Sequence, residues 1–175
     1  MKLKTLKLFI LITLFVFAAS CASPESSPLK TAPNFKFTDE ESGNLIFLSE
    51  YVSRYDQTVI LFYRGHFWGI CQKQLVELQY SLSEFQEENT SLIAISKDTF
   101  EQAQLVKLIT QAEYMILPDP EANVLKEYGV FDLLGDGVAA PAVFIINPDM
   151  TIYWSYISKD IRDRPTTDEI LQKIN

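Results

Sequence analysis

The sequence predicts an α/β domain in three layers, with helices on both faces of a central mixed sheet and an N-terminal β-hairpin extension. Three continuous runs of β-branched and aromatic residues have the composition of strands buried on both faces: 58–63, 91–96 and 142–147. Helical patterns follow the first two runs, and the third turns back through "PDM" into a hairpin strand over 151–157. Strands that alternate with helices and then close in a hairpin are typical of this architecture.

The first predicted element is a short hairpin, in which "NFKFTD" and "NLIFL" alternate apolar and polar residues on either side of Gly43. One or two helical turns in "SEYVSRY" lead to the strand 58–63, and a helix is predicted over 70–88.

After the second buried strand, a helix over about 99–112 leads to a short strand near 115–117. The segment "PEANVLKEYG" is predicted to be a helix closed by Gly129. The last helix lies in "RPTTDEILQKIN", where Thr166 or Thr167 can cap it and acidic residues occupy the first turn.

Residues 1–20 have the layout of a secretory signal peptide, because three lysines precede an apolar run and small residues come before Cys21. The apolar run is short for a membrane-spanning helix, which needs about 20 residues. The ending "AASC" resembles a bacterial lipobox, in which the cysteine becomes a lipidated N-terminus. An ordinary cleaved signal and an uncleaved anchor are the alternatives.

Residues 21–31 are rich in Ser and Pro, so we expect a flexible tether between the lipid on Cys21 and a domain over 32–175. Ala22 and Ser23 provide no aspartate retention signal. In a cell with two membranes, the expected location is therefore the periplasmic face of the outer membrane.

The chain after the signal is acidic, since removal of three lysines leaves 12 basic against 23 acidic side chains, a net charge of −11. Nucleic acid is not an expected partner, because its phosphates would be repelled. One histidine and one available cysteine cannot form a metal cluster, so neither metal nor cofactor is predicted. The aromatic strand with Tyr153, Trp154 and Tyr156 has a face that would suit a homodimer.

The segment "FYRGHFWGICQKQL", residues 62–75, contains the single histidine, His66, together with Cys71. Cys71 follows a buried strand and a glycine-bearing loop and lies in the first turn of the predicted helix. Free N–H groups and the helix dipole at that position favour a thiolate. Arg64 and His66 lie at the end of the strand, where a cation would add to the effect. These features are typical of a nucleophilic cysteine.

A second interpretation stays open on the residues alone. Cys71 begins an apolar series with spacings of 4, 3, 4 and 3 residues, which continues through Leu75, Leu78, Leu82 and Phe85. A cysteine in such a helical stripe is commonly a small buried hydrophobe.

This segment resembles the active-site region of the peroxiredoxins of the alkyl hydroperoxide reductase/thiol-specific antioxidant (AhpC/TSA) group, especially their peroxiredoxin-like branch. Five further segments resemble the family in the right order, over about 32–174: "APNFKFTDEESGNLIFLSEY", "LIAISKDTFEQ", "LPDPEANVLKEYGV", "PAVFIINPDMTIYWSYIS" and "DRPTTDEIL". The resemblance implies a thioredoxin-like fold. Within it, Cys71 falls on the peroxidatic cysteine and Pro141 on the cis-proline beside it.

The chain departs from the family pattern at three positions. Trp68 stands where the family has threonine or cysteine, three residues before the reactive cysteine. The late-strand arginine of typical peroxiredoxins falls on Pro141, and the usual loop proline falls on Gly69 or Arg64. We therefore expect Arg64 to supply the missing cation, with His66 as a local modulator.

The resemblance implies a membrane-tethered thiol oxidoreductase that reduces hydroperoxides through Cys71. An external thiol would be the reductant, because no second free cysteine can resolve the sulfenic acid. Two alternatives remain: a redox-inactive lipoprotein of the same fold that binds a partner or serves as a structural module, and monothiol disulfide exchange.

Overall fold

The computed structural model describes residues 29–174, so the signal segment, Cys21 and most of the tether lie outside the described residues. A five-stranded mixed sheet has the strand order β5-β4-β3-β6-β7, and β1 pairs with β2 in a separate hairpin. The strands are β1 (Lys36–Thr38), β2 (Leu45–Phe47), β3 (Gln57–Phe62), β4 (Thr90–Ser96), β5 (Met115–Pro118), β6 (Ala142–Ile146) and β7 (Ile152–Ile157). The helices are α1 (Leu48–Val52), α2 (Gly69–Tyr80), α3 (Leu82–Glu87), α4 (Phe100–Thr110), α5 (Asn123–Glu127) and α6 (Thr167–Leu171).

The sheet is mixed because β3, β4 and β5 run parallel, whereas β6 and β7 are antiparallel to their neighbours. Every residue of β3, β4 and β6 is buried, as the continuous apolar runs predict. The three-layer fold and the hairpin extension predicted from the sequence are both confirmed.

Two hydrophobic clusters cover the two faces of the sheet. On one face the rings of Phe62, Tyr128 and Phe144 meet with centroids 4.9–5.7 Å apart, and the β-hairpin, α1 and α5 cover them. On the other face Val59 and Leu61 of β3 lie in a cluster with residues of α2, α4 and α6, including Cys71. The candidate thiol is therefore part of the second core.

The single helix predicted over 70–88 is divided in two at Ser81, so this prediction was wrong. Ser81 leaves the helical conformation (φ −96°, ψ 10°). Its carbonyl accepts the N–H groups of Glu84 and Phe85, and these are the first hydrogen bonds of the second helix, α3. Leu82 and Phe85, which follow the bend, are both buried in the core. At the last helix, Thr166 is the capping residue, in a reciprocal capping box with Glu169.

The prediction of a cis peptide bond before Pro141 was wrong, because no cis bond occurs within residues 29–174. The Ala140 N–H donates to the Val130 carbonyl at 2.9 Å, and the Pro141 carbonyl accepts from the Ser158 N–H at 2.9 Å. These bonds fix an extended entry into β6 in which the trans isomer, the lower in energy for X–Pro bonds, is accommodated.

Among the described residues, no helix is both long and apolar enough to cross a membrane.

Candidate active site

Cys71 lies in the first turn of α2, beyond the end of β3, and its side chain is completely buried. It packs in one cluster with Leu75 and Leu78 of the same helix. The two interpretations of the sequence therefore describe one position: Cys71 is a member of the apolar stripe and also lies at the start of the helix.

Two nitrogen donors approach the Cys71 sulfur. The backbone N–H of Arg64 lies 3.5 Å from Sγ, and Nη1 of Arg164 lies 3.4 Å from it on a guanidinium 93 residues further along the chain. Hydrogen bonds from a cation to sulfur favour the charged thiolate over the thiol. The sulfur therefore lies between one backbone donor and one side-chain cation.

Arg164 is held at this position by α2. Its Nη1 also lies 3.4 Å from Oε1 of Gln74, and the Gln74 amide donates to the Pro165 carbonyl at 3.1 Å. The other guanidinium nitrogen, Nη2, donates to the carbonyl of Ile161. Gln74 is itself buried, so it connects the loop before α6 to the helix that carries Cys71.

Sequence reasoning did not select Arg164. The residue lies in "DRPTTDEIL", which resembles the family, but nothing local to that segment indicates that its side chain reaches Cys71. Only the return of the chain from β7 to α6, over the same face of the sheet as α2, brings the two together.

The Arg64 guanidinium makes different contacts from those expected. Its Nη1 forms an ion pair with Asp136 at 2.6 Å, and its plane lies over the Trp68 ring, 4.8 Å from the centroid. Among the described residues, Nε of Arg64 is a buried donor without a hydrogen-bond partner. The contact recorded between Arg64 and Sγ is through the backbone N–H.

Trp68 is the residue just before α2, and its carbonyl accepts the N–H of Cys71 at 2.9 Å. Its side chain packs against the cluster that contains Cys71 and makes no capping hydrogen bond. The indole Nε1 is buried and has no hydrogen-bond partner in the described part of the chain. Gly69 begins the helix, and a Cβ added there would contact nothing within 4 Å.

His66 is bound to Asp98 rather than to the thiol. Nδ1 of His66 lies 2.7 Å from one Asp98 carboxylate oxygen, and the His66 backbone N–H donates to the other at 2.8 Å. Ser96 and Tyr63 hydroxyls also donate to Asp98, at 2.8 and 3.3 Å. Burial raises the pKa of Tyr63 above its ordinary value, which keeps the phenol protonated as a donor.

Asp98 holds the loop between β3 and α2 through these hydrogen bonds. Gly65 in that loop has φ +138°, and a Cβ there would lie 3.0 Å from Oδ1 of Asp98 and 2.9 Å from the Phe67 ring. Glycine is therefore required both by the backbone conformation and by the close approach of the carboxylate.

Within residues 29–174, no group of three or more His, Cys, Asp or Glu side chains could hold a metal ion.

Comparisons with known proteins agree with this fold. The model of the AhpC/TSA family matches residues 28–155. The chain is 28% identical over 152 residues to "Peroxiredoxin 2" of Picrophilus torridus, covering 83% of this chain and 72% of that protein. It is 29% identical over 147 residues to the "Thioredoxin-dependent peroxide reductase, mitochondrial" of Bos taurus, covering 78% of this chain and 56% of that protein.

A crystal structure of peroxidoxin BcpB from Mycobacterium tuberculosis has the same fold, with a TM-score of 0.70 at 24% identity, over 82% of this chain and 93% of that one. The matched family segment includes Arg64, Trp68 and Cys71, and ends before Arg164. This chain belongs to the AhpC/TSA family.

Proposed function

We propose that this protein is a membrane-tethered, one-cysteine thiol peroxidase that reduces hydroperoxides with electrons from an external thiol. The observation that carries the proposal is the Cys71 sulfur between the Arg164 guanidinium and the Arg64 backbone N–H, within a segment matched by the family. The names of relatives as peroxiredoxin and as thioredoxin-dependent peroxide reductase support both the substrate and the source of electrons.

The Cys71 thiolate attacks the terminal oxygen of a hydroperoxide, ROOH. The S–O bond forms as the O–O bond breaks, and the leaving RO⁻ takes up a proton to give an alcohol, or water from hydrogen peroxide. Cysteine sulfur is oxidised to the sulfenic acid, and the peroxide is reduced.

An external thiol then attacks the sulfenic sulfur, which releases water and leaves a mixed disulfide. A second thiol displaces Cys71 from that disulfide and restores the thiolate. An intramolecular disulfide is not part of this cycle, because the chain's other cysteine, Cys21, is the proposed lipid attachment site.

The direct test treats the purified chain with hydrogen peroxide in the presence of dimedone and locates the adduct by mass spectrometry. We expect one adduct, on Cys71, and consumption of peroxide when a dithiol is supplied. The Cys71→Ser variant is the control and should consume no peroxide above background. An unmodified Cys71 after exposure of the folded protein would contradict the proposal.

Membrane attachment through Cys21 is supported by the sequence of residues 1–21 alone. Its test is metabolic labelling with a fatty acid, in which the parent chain should be labelled and a Cys21→Ser variant should not. In a cell with two membranes, fractionation should place the protein in the outer membrane, with the domain in the periplasm.

A second candidate is a redox-inactive member of the same fold that binds a partner. The specific observation in its favour is that Cys71 is completely buried and that Trp68, three residues before it, offers no hydroxyl. This candidate predicts that Cys71→Ser leaves the cellular phenotype unchanged. A loss of peroxide resistance in that variant would exclude it.

Self-association is also proposed, through β7, which is the edge strand of the sheet and exposes Tyr153. A second copy packed on this strand would bury the exposed aromatic ring. Sedimentation of the purified chain would show a dimer if this is correct and a monomer if it is not.

A further inference from the structure

A cavity of about 420 Å³ lies on the side of Arg164 near β7 and α6, away from the loop between β3 and α2. We call it the β7–α6 cavity and define it by six of its lining residues: Trp154, Tyr156, Asp163, Arg164, Glu169 and Lys173. Its volume is within the range of small-molecule sites, which is about 300–1,000 Å³. The same arginine that contacts the Cys71 sulfur is therefore also part of this cavity's wall.

One wall of the cavity is aromatic. The rings of Trp154 and Tyr156 are 6.2 Å apart between centroids and inclined at 33°, so they present neighbouring faces on the strand. Aromatic faces of this kind stack with a planar ring.

The hydrogen-bond acceptors that line the cavity already have partners, whereas two of its donors have none within residues 29–174. Both carboxylates already accept hydrogen bonds from neighbouring groups at the surface: Asp163 accepts from the Tyr156 hydroxyl, and Glu169 accepts from the N–H and hydroxyl of Thr166 at 2.8 and 3.1 Å. Burial, together with the hydrogen bond to Asp163, raises the pKa of Tyr156 to about 12, so this hydroxyl remains a donor at neutral pH.

The groups without partners are donors. Lys173 makes no ion pair among the residues that the structure describes, and Nε of Arg164 is buried there without an acceptor. A buried donor without an acceptor is uncommon and costs free energy, which a ligand oxygen could recover.

We propose that the β7–α6 cavity binds a small planar organic anion, with its ring against Trp154 and its carboxylate at Lys173, and that this ligand regulates Cys71 through Arg164. An anion in the cavity attracts the Arg164 guanidinium away from Sγ and so lowers the reactivity of the thiol. The binding part stands independently of peroxide chemistry, and the regulatory part rests on the proposed function.

The binding test uses benzoate as the probe and the fluorescence of Trp154 as the readout. Trp68 and Trp154 are the chain's two tryptophans, so a Trp68→Phe background isolates the signal of the cavity. We expect a saturable change with a dissociation constant on the order of 1 mM, and no such change with benzyl alcohol, which keeps the ring and lacks the charge.

Lys173→Gln should weaken benzoate binding about tenfold. The matched control is Lys36→Gln, which removes the same charge from the β1–β2 hairpin outside the cavity and should change binding less than about twofold. The absence of a saturable signal would overturn the proposal. Equal binding of benzyl alcohol, or unchanged binding by Lys173→Gln, would also overturn it.

The regulatory part is tested by the rate of Cys71 alkylation with iodoacetamide, which needs no peroxidase activity. Saturating benzoate should slow alkylation at least threefold in the parent, and in Lys173→Gln the concentration needed for half of the full effect should be about tenfold higher. Saturable binding with an unchanged alkylation rate would refute the regulatory part alone. Alkylation that responds to benzoate in a protein without peroxide reactivity would refute the proposed function and leave the cavity's role intact.

Discussion

Among single residues, Trp68 carries a buried hydrogen-bond donor without a partner in the described part of the chain, and Cys71 carries the candidate nucleophile. The indole Nε1 is a buried donor that lacks an acceptor in the described structure, and the sulfur is the atom to which a peroxide oxygen would be delivered. Unpaired buried donors cost about 1–3 kcal/mol. We expect a hydroperoxide that enters beside Trp68 to accept this hydrogen bond, so that the indole N–H orients the peroxide toward the sulfur.

Trp68→Phe distinguishes orientation of the peroxide from mere obstruction of access to Cys71, because phenylalanine keeps an aromatic ring and removes the N–H. We expect sulfenic acid formation from hydrogen peroxide to slow about tenfold, from the loss of one hydrogen bond of about 1.4 kcal/mol. Alkylation of Cys71 by iodoacetamide should stay within twofold of the parent. A peroxide rate that is equal or faster in Trp68→Phe would mean that Trp68 only obstructs access.

Arg164 is expected to stabilise the Cys71 thiolate. Arg164→Gln removes a charge-assisted hydrogen bond of about 1.5–3 kcal/mol and should slow thiol alkylation at pH 7 by roughly 10- to 100-fold. Arg164→Lys should recover part of the rate, because it restores the charge without the fixed guanidinium geometry. The matched control is the exposed neighbour Arg162→Gln, and an equal loss in that variant would show that the effect is not specific to the contact with sulfur.

The residues that could be predicted from sequence are those whose role depends on local context. Cys71 was selected because a strand, a glycine-bearing loop and a helix adjoin it in the chain. Arg164 lies 93 residues after Cys71, and Asp98 lies 32 residues after His66, the residues that they contact. No local sequence pattern therefore distinguishes them from surface and capping residues. The backbone N–H of Arg64 contacts the sulfur, but the direction of its side chain depends on Asp136 in another loop.

At the scale of elements, the hairpin between β1 and β2 is attached to the rest of the domain by an ion pair. The buried Asp39 carboxylate accepts from Nη1 of Arg54 at 2.9 Å and from the Ser42 hydroxyl at 2.8 Å. The bond from Arg54 is the main cause that lowers the pKa of Asp39 below its ordinary value. A lowered pKa in the folded state means that this pair stabilises the fold above about pH 4 and that the contribution is lost as pH falls further.

Arg54→Gln should therefore reduce the free energy of unfolding by about 1 kcal/mol at pH 7, since Arg54 is partly exposed and the pair is screened by solvent. Urea titrations of parent and variant at pH 7 and near pH 3 would measure the difference, which should shrink at the lower pH. Lys73→Gln, which breaks the exposed pair with Glu77, serves as the control. A difference that is the same at both pH values would contradict the assignment to the ionised carboxylate.

The strands were predicted well and one helix was not, for a physical reason. Strands β3, β4 and β6 are buried on both faces, and such strands are continuous apolar runs that can be recognised without knowledge of their neighbours. The apolar spacing from Cys71 to Phe85 continues across Ser81, so periodicity gives no sign of the break. Leu82 and Phe85 are buried on the far side of the break, so burial does not reveal it either.

For the molecule as a whole, the entry of the chain and the candidate active site lie at opposite ends of the sheet. Thr31 forms a β-bridge with Thr151, in the turn that follows β6. This turn is at the end of β6 where Ile146 pairs with Thr58, near the start of β3. Cys71 follows the other end of β3, so the length of that strand, about 17–20 Å, separates them. The described chain therefore enters the domain at the end of the sheet that is remote from the thiol.

The expected outcome is that the lipidated protein in vesicles reduces hydrogen peroxide at the same rate, within about twofold, as the protein in detergent. A hydroperoxide confined to the acyl chains of the vesicle should be reduced at least tenfold more slowly than hydrogen peroxide. Preferential reduction of the membrane-bound substrate would contradict this orientation.

The bonds to Asp98 also determine which wall of the site can open. The loop between β3 and α2 is joined to the buried carboxylate by His66 and Tyr63, whereas residues 159–164 are mostly exposed and are joined to α2 chiefly through Gln74 and Arg164. Amide hydrogen exchange should therefore be faster in 159–164 than in 63–68, and should quicken there when Gln74 is replaced by Ala. The sulfenic acid would then be exposed to its reducing thiol by a local opening beside β7, and the peroxide-facing loop would stay folded through the whole cycle.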